Sequence, residues 1–200
     1  MAGPIDLEAL VLAHERGDDE SSLLVAIEAL EVARPMWRRT EFAPGHFTAS
    51  GFVASPDASA LMLIHHARLG RWLQPGGHIE SDDGTVDDAA RREIAEETGI
   101  VTVERLGEGL VRIDVHAIPP HTDEPSHVHL DLALGYRATS WDIGPIEGVV
   151  DARWVPFDAL SEFPTDDSVR LGARVLRRLL ADGARRGDDP SFGPGSGYPP

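Results

Sequence analysis

Three glutamates, Glu93, Glu96 and Glu97, constrain what this chain can fold into more than any other feature of its 200 residues. They lie three and four residues apart, so a helix, which turns by about 100° per residue, brings all three onto one face. The same face continues upstream through Val86 and Ala90, which are small and apolar. The acids therefore extend the stripe that a packed helix turns toward the protein interior.

Carboxylates gathered on an inward face need counter-charges, because they repel one another and lose their hydration. Hard oxygen ligands of this kind suit Mg²⁺ or Mn²⁺, and Mg²⁺ usually shares its coordination shell with water and substrate phosphates. The alternative is a solvated acidic face, which is the usual reason for a run of charge on a helix. A solvated face would lie opposite the apolar residues, and here the acids continue them. The pattern therefore favours a metal site.

The nine residues Arg92–Ile100, REIAEETGI, resemble the second half of the signature of the Nudix hydrolase superfamily, without a substitution. The family signature begins with Gly, five residues, Glu and seven residues. Here Gly77 is followed by five residues and then Asp83, and eight residues separate Asp83 from Arg92. The first half therefore has Asp in place of Glu and one extra residue. Because Glu80 is nearby, it stays open whether Asp83 is the residue that corresponds to the Glu of the signature. The resemblance extends from Phe47 through Leu160.

The resemblance implies an α/β fold, a Nudix-like α/β/α sandwich around a mixed sheet, and hydrolysis of a phosphoanhydride bond. It also implies roles for particular residues. Glu93, Glu96 and Glu97 would be catalytic metal ligands for Mg²⁺, with Mn²⁺ as the alternative, and the Gly77 carbonyl would be a further ligand. Arg92 would orient Glu93 through an ion pair, although its helical angle fits a surface arginine nearly as well.

A second group of polar residues, His127, His129 and Asp131, alternates with apolar residues and so shares one face of a predicted strand. Three interpretations stay open for this face. It could be a polar, half-exposed strand face. It could contact phosphate or supply a general base, since histidine titrates near neutral pH. It could also bind zinc, for which two histidines and a carboxylate are common ligands. A related Nudix subgroup has a similar His-x-His strand beside the glycine-rich turn.

The predicted substrate-binding residues are His129, His127, Asp131 and Arg71. All 18 basic residues of the chain are arginines. Any clamp on a substrate phosphate must therefore use arginine, histidine, backbone or metal, and Arg71 lies just before the glycine-rich turn. Among the other histidines, His78 adjoins Gly77, but a structural role is the simpler interpretation for it.

The chain divides into a helical extension over 1–45, a Nudix domain over 46–182 and a tail over 183–200 that is rich in Gly, Pro and Ser and predicted to be disordered. The extension is expected to be a helical hairpin packed on the main domain or on a second subunit, as in a homodimer. Thr85 and Gly99 are typical of the N-cap and the C′ position of the helix that carries the glutamates. A second helix is predicted over 169–180, and strands over 47–54, 60–66, 101–118, 128–134 and 149–155.

Composition excludes several classes of protein. A net charge of −16 disfavours nucleic acid as the main partner, although bound divalent ions can reverse the field locally. The chain has no apolar run long enough to span a membrane. It has no cysteine, which excludes disulfides and thiolate nucleophiles. Asp6 and Glu8 precede any basic residue, which opposes a secretory signal, and a cytoplasmic location is expected.

The sequence therefore predicts a Mg²⁺-dependent hydrolase of a small phosphorylated molecule, either an ADP-ribose-like nucleoside diphosphate derivative or a nucleoside triphosphate. Subgroup signatures separate these two weakly, and the absence of a tyrosine before Tyr136 mildly disfavours dinucleoside polyphosphates. The first alternative is a catalytically silent Nudix domain that binds a nucleotide as a sensor. The second is an interaction module whose N-terminal helices recruit a partner.

Overall fold

A computed structural model describes residues 3–32, 34–121 and 124–187. The helices are α1 (Leu7–Ala13), α2 (Glu20–Leu30), α3 (Val86–Thr98) and α4 (Asp167–Gly187). The strands are β1 (Gly45–Ala54), β2 (Ala60–His66), β3 (Arg71–Leu73), β4 (Gly76–His78), β5 (Val103–Arg105), β6 (Arg112–Ile118), β7 (His127–Ala138) and β8 (Asp151–Pro156). None of the helices in this part of the chain combines the length and the apolarity needed to cross a bilayer.

The strands form one mixed sheet of eight, in which β1 and β7 run parallel at the centre. Their pairing extends from Gly45 with Val128 to Ala54 with Arg137. The outer edge of β7 pairs with β6 and β5, and β1 pairs with β4 and β2. β8 pairs along one edge of β2, and β3 and β1 pair with successive parts of the other edge. The start of β1 thus lies between β7 and β4, which carries the glycine-rich turn.

Two apolar clusters cover the two faces of the sheet. The larger one packs α1, α2 and α3 on one face and includes Phe47, Ile94 and Leu132. The other packs α4 on the opposite face and includes Phe52 and Leu176. Helices on both faces of a mixed sheet form an α/β/α sandwich, and this confirms the predicted fold class.

Local sequence sets the ends of α3 at the predicted positions. The Thr85 hydroxyl accepts a hydrogen bond from the Asp88 backbone N–H at 2.9 Å, which satisfies a donor that the first turn leaves free. Gly99 ends the helix in the left-handed conformation, with φ of 69°. Asp6 of the N-terminal segment accepts from the Val86 N–H at 2.7 Å and so caps the same helix from outside.

The N-terminal helices pack on the sheet of their own chain. Asp19, at the start of α2, is buried and accepts hydrogen bonds from the Ile113 backbone N–H at 2.8 Å and from His14 at 2.9 Å. Burial alone would raise the pKa of Asp19, but these hydrogen bonds outweigh it and lower the pKa. At the other end of the chain, α4 continues through residues 183–187, which had been predicted to belong to a disordered tail. Residues 188–200 lie outside the described part of the chain.

Candidate active site

A cleft of about 330 Å³ opens where β1, β4, α3 and the start of β7 meet. Glu93 and Glu97 line it from α3, and Gly76 and Gly77 line it from β4. Its other walls come from β1, β2, β6, β7 and the loops that follow β2 and β6, through Thr48, Ser50, His66, Arg68, His116, Pro119, His129 and Asp131, among others. The helix that carries the acids and the strand that carries the histidines thus face one cavity.

Glu97 lies in the cleft beside Gly76 of the glycine-rich turn. Its carboxylate accepts a hydrogen bond from the Gly76 backbone N–H at 2.9 Å. Burial raises the pKa of Glu97 to about 8, and the negative charges of Glu93 and Glu96 add to the shift. Burial also raises the pKa of Glu93, although Arg92 opposes the shift. Two carboxylates with raised pKa values in one cleft are under-compensated by the cations of the protein itself.

Arg92 supplies a positive charge next to the acids of α3. Its guanidinium donates to both oxygens of Asp83, at 2.9 and 3.2 Å, and to Glu93 at 2.9 Å. It also donates to Glu96 at 3.2 Å and to the His78 carbonyl at 2.8 Å. Burial opposes the charge of Arg92, but these partners outweigh it and raise its pKa. Arg92 therefore lies against Glu93, and the extra residue before it still lets Asp83 reach the guanidinium.

Glu96 differs from the other two glutamates in its surroundings. Its side chain is 47% exposed, against 13% for Glu93. It lines a neighbouring groove with Trp37 and Arg38, and it is not among the residues of the cleft. One face of α3 carries all three acids as predicted, but Glu96 lies at the edge of that face and points away from the cleft. Glu93 and Glu97 are thus the pair that face the histidines.

Gly77 lies in β4 directly against the carboxyl group of Glu93. A Cβ atom added at Gly77 would come within 2.7 Å of the Glu93 carboxyl carbon, which is closer than non-bonded atoms approach. The antiparallel pairing of Gly77 with Ala49 fixes the backbone at this point. The absence of a side chain is therefore what lets the backbone approach the acid.

We expect Gly77→Ala to lower kcat/KM by about 10²-fold, because the added methyl group displaces the flexible Glu93 carboxylate by roughly 1 Å. The fold should remain, since a side-chain end can move where a backbone could not. Activity is measured with Mg²⁺, and circular dichroism checks the fold. Gly109→Ala is the matched control, because an added Cβ there meets nothing within 4 Å. Wild-type activity in Gly77→Ala would contradict the placement of Glu93.

The predicted histidine face is largely buried. His127 and Asp131 are each 5% exposed, whereas His129 between them is partly exposed, so the face is less open than a half-exposed polar strand face would be. Asp131 accepts hydrogen bonds from Thr48 at 3.0 Å and from Ser50 on β1, and burial raises its pKa. The Gln74 side-chain amide donates to the same carboxylate at 3.3 Å. This acid is therefore held by neutral donors and lies on the cleft wall.

A histidine that the sequence analysis missed completes this face. His46 of β1 lies beside His129 of β7 in the parallel register, and their ring centroids are 4.8 Å apart. The His78 ring centroid lies 5.1 Å from both, with its ring tilted against His46 and edge-on to His129. Burial lowers the pKa of His46 and His129, and lowers that of His78 to about 4, so these rings are neutral. In the sequence, His46, Thr48 and Ser50 occupy alternate positions, and this alternation could have identified His46 as part of the polar face.

Arg71 lies outside the cleft. Its guanidinium is 3.7 Å from Asp166 and its side chain is more than half exposed. Arg71 lies on β3 and pairs with His66 of β2, and in the sheet order two strands, β2 and β1, stand between β3 and β7. The arginine that lines the cleft is Arg68, in the loop after β2, where it donates to the Pro119 carbonyl at 2.9 Å. Arg71 is thus close to the glycine-rich turn in the sequence but does not line the cleft in the structure.

The donor set at α3 fits a divalent cation. Glu93 and Glu97 offer carboxylate oxygens, and Gly77 brings backbone next to Glu93. Their raised pKa values show that Arg92 alone does not balance the buried negative charge. Oxygen ligands with unbalanced charge are what Mg²⁺ and Mn²⁺ prefer.

Comparison with known proteins agrees with this architecture. A crystal structure of a NUDIX-family hydrolase from Clostridium perfringens has a TM-score of 0.51 and 24% identity, covering 68% of this chain and 97% of that one. The Nudix hydrolase RenU from M. Smegmatis has a TM-score of 0.51 and 19% identity, covering 68% and 86%. At these identities the likeness shows the fold. No curated protein matches the chain.

An α/β/α sandwich with an acidic helix after a glycine-rich turn is the arrangement that the sequence resemblance implied for a hydrolase of phosphoanhydride bonds. The family model for the NUDIX domain matches residues 45–179. The chain therefore belongs to the Nudix hydrolase superfamily.

Proposed function

We propose that this Nudix protein hydrolyses a phosphoanhydride bond in a small nucleotide, either an ADP-ribose-like nucleoside diphosphate derivative or a nucleoside triphosphate, with Mg²⁺ or Mn²⁺. The observation that carries the proposal is the cleft in which Glu93 and Glu97 face His129 and Asp131 across the glycine-rich turn. Its volume lies within the usual range of small-molecule sites.

Glu93 and Glu97 are the residues that would hold the divalent cation, with the Gly77 carbonyl as a further ligand and Glu96 at the edge. When bound there, the cation would neutralise charge on the diphosphate and lower the pKa of a water molecule. Arg92 holds Glu93 at 2.9 Å and so fixes the direction of that carboxylate. A carboxylate oriented in this way can hold a water molecule and accept its proton. These properties support Glu93 as the general base.

The opposite walls supply the contacts for the substrate. Arg68 is on the rim of the cleft, where its guanidinium can reach a phosphate oxygen. His129 and Asp131 form the inner wall. Because Asp131 is held by Thr48 and Ser50, it is positioned to accept hydrogen bonds from substrate hydroxyl groups. We therefore assign phosphate contact to Arg68 in place of Arg71.

The test is phosphate release from a panel of ADP-ribose, nucleotide sugars, nucleoside triphosphates and dinucleoside polyphosphates, with phosphatase added where the product requires it. Each substrate is run with Mg²⁺, with Mn²⁺ and with EDTA. We expect metal-dependent release from one nucleotide class and none in EDTA. Nucleotide binding without turnover across the panel would overturn the proposal and favour a sensor.

A further inference from the structure

Three histidines, two of them buried and the third partly exposed, converge at the start of the central strand pair. His46 lies on β1, and His127 and His129 lie on β7. One ring nitrogen of each lies within 4.8 Å of one ring nitrogen of each of the others. The Nε2 atoms of His127 and His129 are 3.3 Å apart. These residues are distinct from the carboxylate site on α3, and only His129 also lines the cleft.

Backbone carbonyls fix which nitrogen of two of these rings carries the proton. His46 Nδ1 is 3.0 Å from the Glu41 carbonyl, and His127 Nδ1 is 2.8 Å from the Pro125 carbonyl. A carbonyl oxygen only accepts, so each Nδ1 must carry the hydrogen, and each neutral ring keeps its lone pair on Nε2. Metal-binding histidines are held in this way, with the far nitrogen donating to a carbonyl or carboxylate.

The Nε2 atoms of His46 and His127 have few hydrogen-bond partners in the protein. His46 Nε2 is buried and has no hydrogen-bond partner among the described residues. His127 Nε2 has only His129 Nε2 within hydrogen-bond distance in that part of the chain, and the bond requires His129 to donate. A buried nitrogen without a partner costs free energy, so such an atom in a native site calls for a ligand.

We propose that His46, His127 and His129 form a second metal site, which binds one zinc-like transition-metal ion through three imidazole nitrogens and leaves its fourth position open. Imidazole ligands suit Zn²⁺, Co²⁺, Ni²⁺ and Cu²⁺, whereas Mg²⁺ prefers oxygen. The sequence had offered Asp131 as the third ligand. The side-chain atoms that converge within 4.8 Å of one another are instead those of the three histidines, so His46 provides the third ligand.

The position of the site gives it a structural effect. His46 and His129 are register partners in the parallel pairing of β1 with β7, so one ion would tie these two strands together at their first residues. His78 stands 5.1 Å, ring to ring, from both and faces the cleft. A bound ion would therefore stiffen the wall that carries His129 without occupying the carboxylates.

Visible absorption on Co²⁺ titration tests the site directly. Full-length protein without a polyhistidine tag is stripped with chelator and titrated with Co²⁺ in the presence of excess Mg²⁺. We expect one equivalent to give the intense visible bands of four-coordinate Co²⁺ with nitrogen ligands, and Zn²⁺ to displace it and raise the melting temperature. Oxygen ligands at α3 would give only the weak spectrum of six-coordinate Co²⁺. Absence of the intense bands overturns the proposal.

Substitutions of the histidines test whether these residues bind the Co²⁺ ion. His46→Gln and His127→Gln should each weaken Co²⁺ binding by at least about 100-fold, which exceeds the usual effect of losing an outer hydrogen-bond partner. His121→Gln is the matched control, because His121 is exposed and close in sequence. Glu97→Gln should keep the full spectrum, so failure of the nucleotide hydrolysis proposal would leave this result unchanged. Unaltered binding in both His46→Gln and His127→Gln would overturn the site.

Discussion

Glu97→Gln is expected to lower kcat by about 10²–10³-fold with Mg²⁺, because it replaces a charged oxygen ligand with a neutral amide. The side chain lines the cleft and the substitution keeps nearly the same shape, so the fold should be retained. Phosphate release from the substrate that the panel identifies is the measurement. Glu104→Gln is the control, since Glu104 is exposed and pairs with Arg137 at 2.7 Å. Near-normal turnover in Glu97→Gln would contradict the assignment of the metal ligands.

The same variant should change how the stability of the metal-free protein depends on pH. The pKa of Glu97 rises from 4.5 to about 8 on folding, chiefly through burial. A raised pKa means that the folded state keeps a proton that the unfolded chain loses. Its stabilising contribution is complete below pH 4.5 and disappears as the pH rises through about 8. In EDTA, the melting temperature of the wild type should therefore fall relative to that of Glu97→Gln over this range.

Arg92→Ala is expected to lower the free energy of unfolding by about 3–5 kcal/mol in EDTA, since it leaves buried carboxylates without their cation. Asp83 is 7% exposed and Glu93 13% exposed, so water cannot replace the guanidinium well. Chemical denaturation in EDTA gives the measurement. A loss below about 1 kcal/mol would return Arg92 to the interpretation as a surface arginine.

Two further variants separate the charge of Arg92 from its geometry. Arg92→Lys keeps the charge but cannot donate to both oxygens of Asp83, so it should recover only part of the stability. Asp83→Asn in the Arg92→Ala background removes one uncompensated acid and should restore part of the loss. A double-mutant cycle then gives the coupling between Arg92 and Asp83. A coupling near zero would show that their hydrogen bonds do not contribute to stability.

Local chemistry made α3 predictable from the sequence. Thr85, Gly99 and a stripe of small apolar residues specify its ends and its buried face without reference to distant parts of the chain. Alternation specified β7 in the same way. By contrast, β3 and β4 have three residues each and exist because they pair with β2 and β1. No periodicity can be read from such short segments.

The residues of the site were predictable only within single elements. Glu93, Glu97, His129 and Asp131 were found because each group follows the period of its own helix or strand. His46 was missed because its proximity to His129 depends on the register between β1 and β7. Arg71 was placed in the site because it precedes the glycine-rich turn. In the structure Arg71 pairs with β2 and points to Asp166, and Arg68 lines the cleft.

The central pairing of β1 with β7 also bears on how the protein acquires its activity during folding. Thr48 and Asp131, which meet across it, are 83 residues apart in the chain. Contacts of such long sequence separation have a large loop-closure entropy and form slowly. The acids of α3 and the glycine-rich turn are close in sequence and can come together early. His129 and Asp131 join them only when β7 pairs with β1. Recovery of the catalytic cleft should therefore lag behind the appearance of helix during refolding.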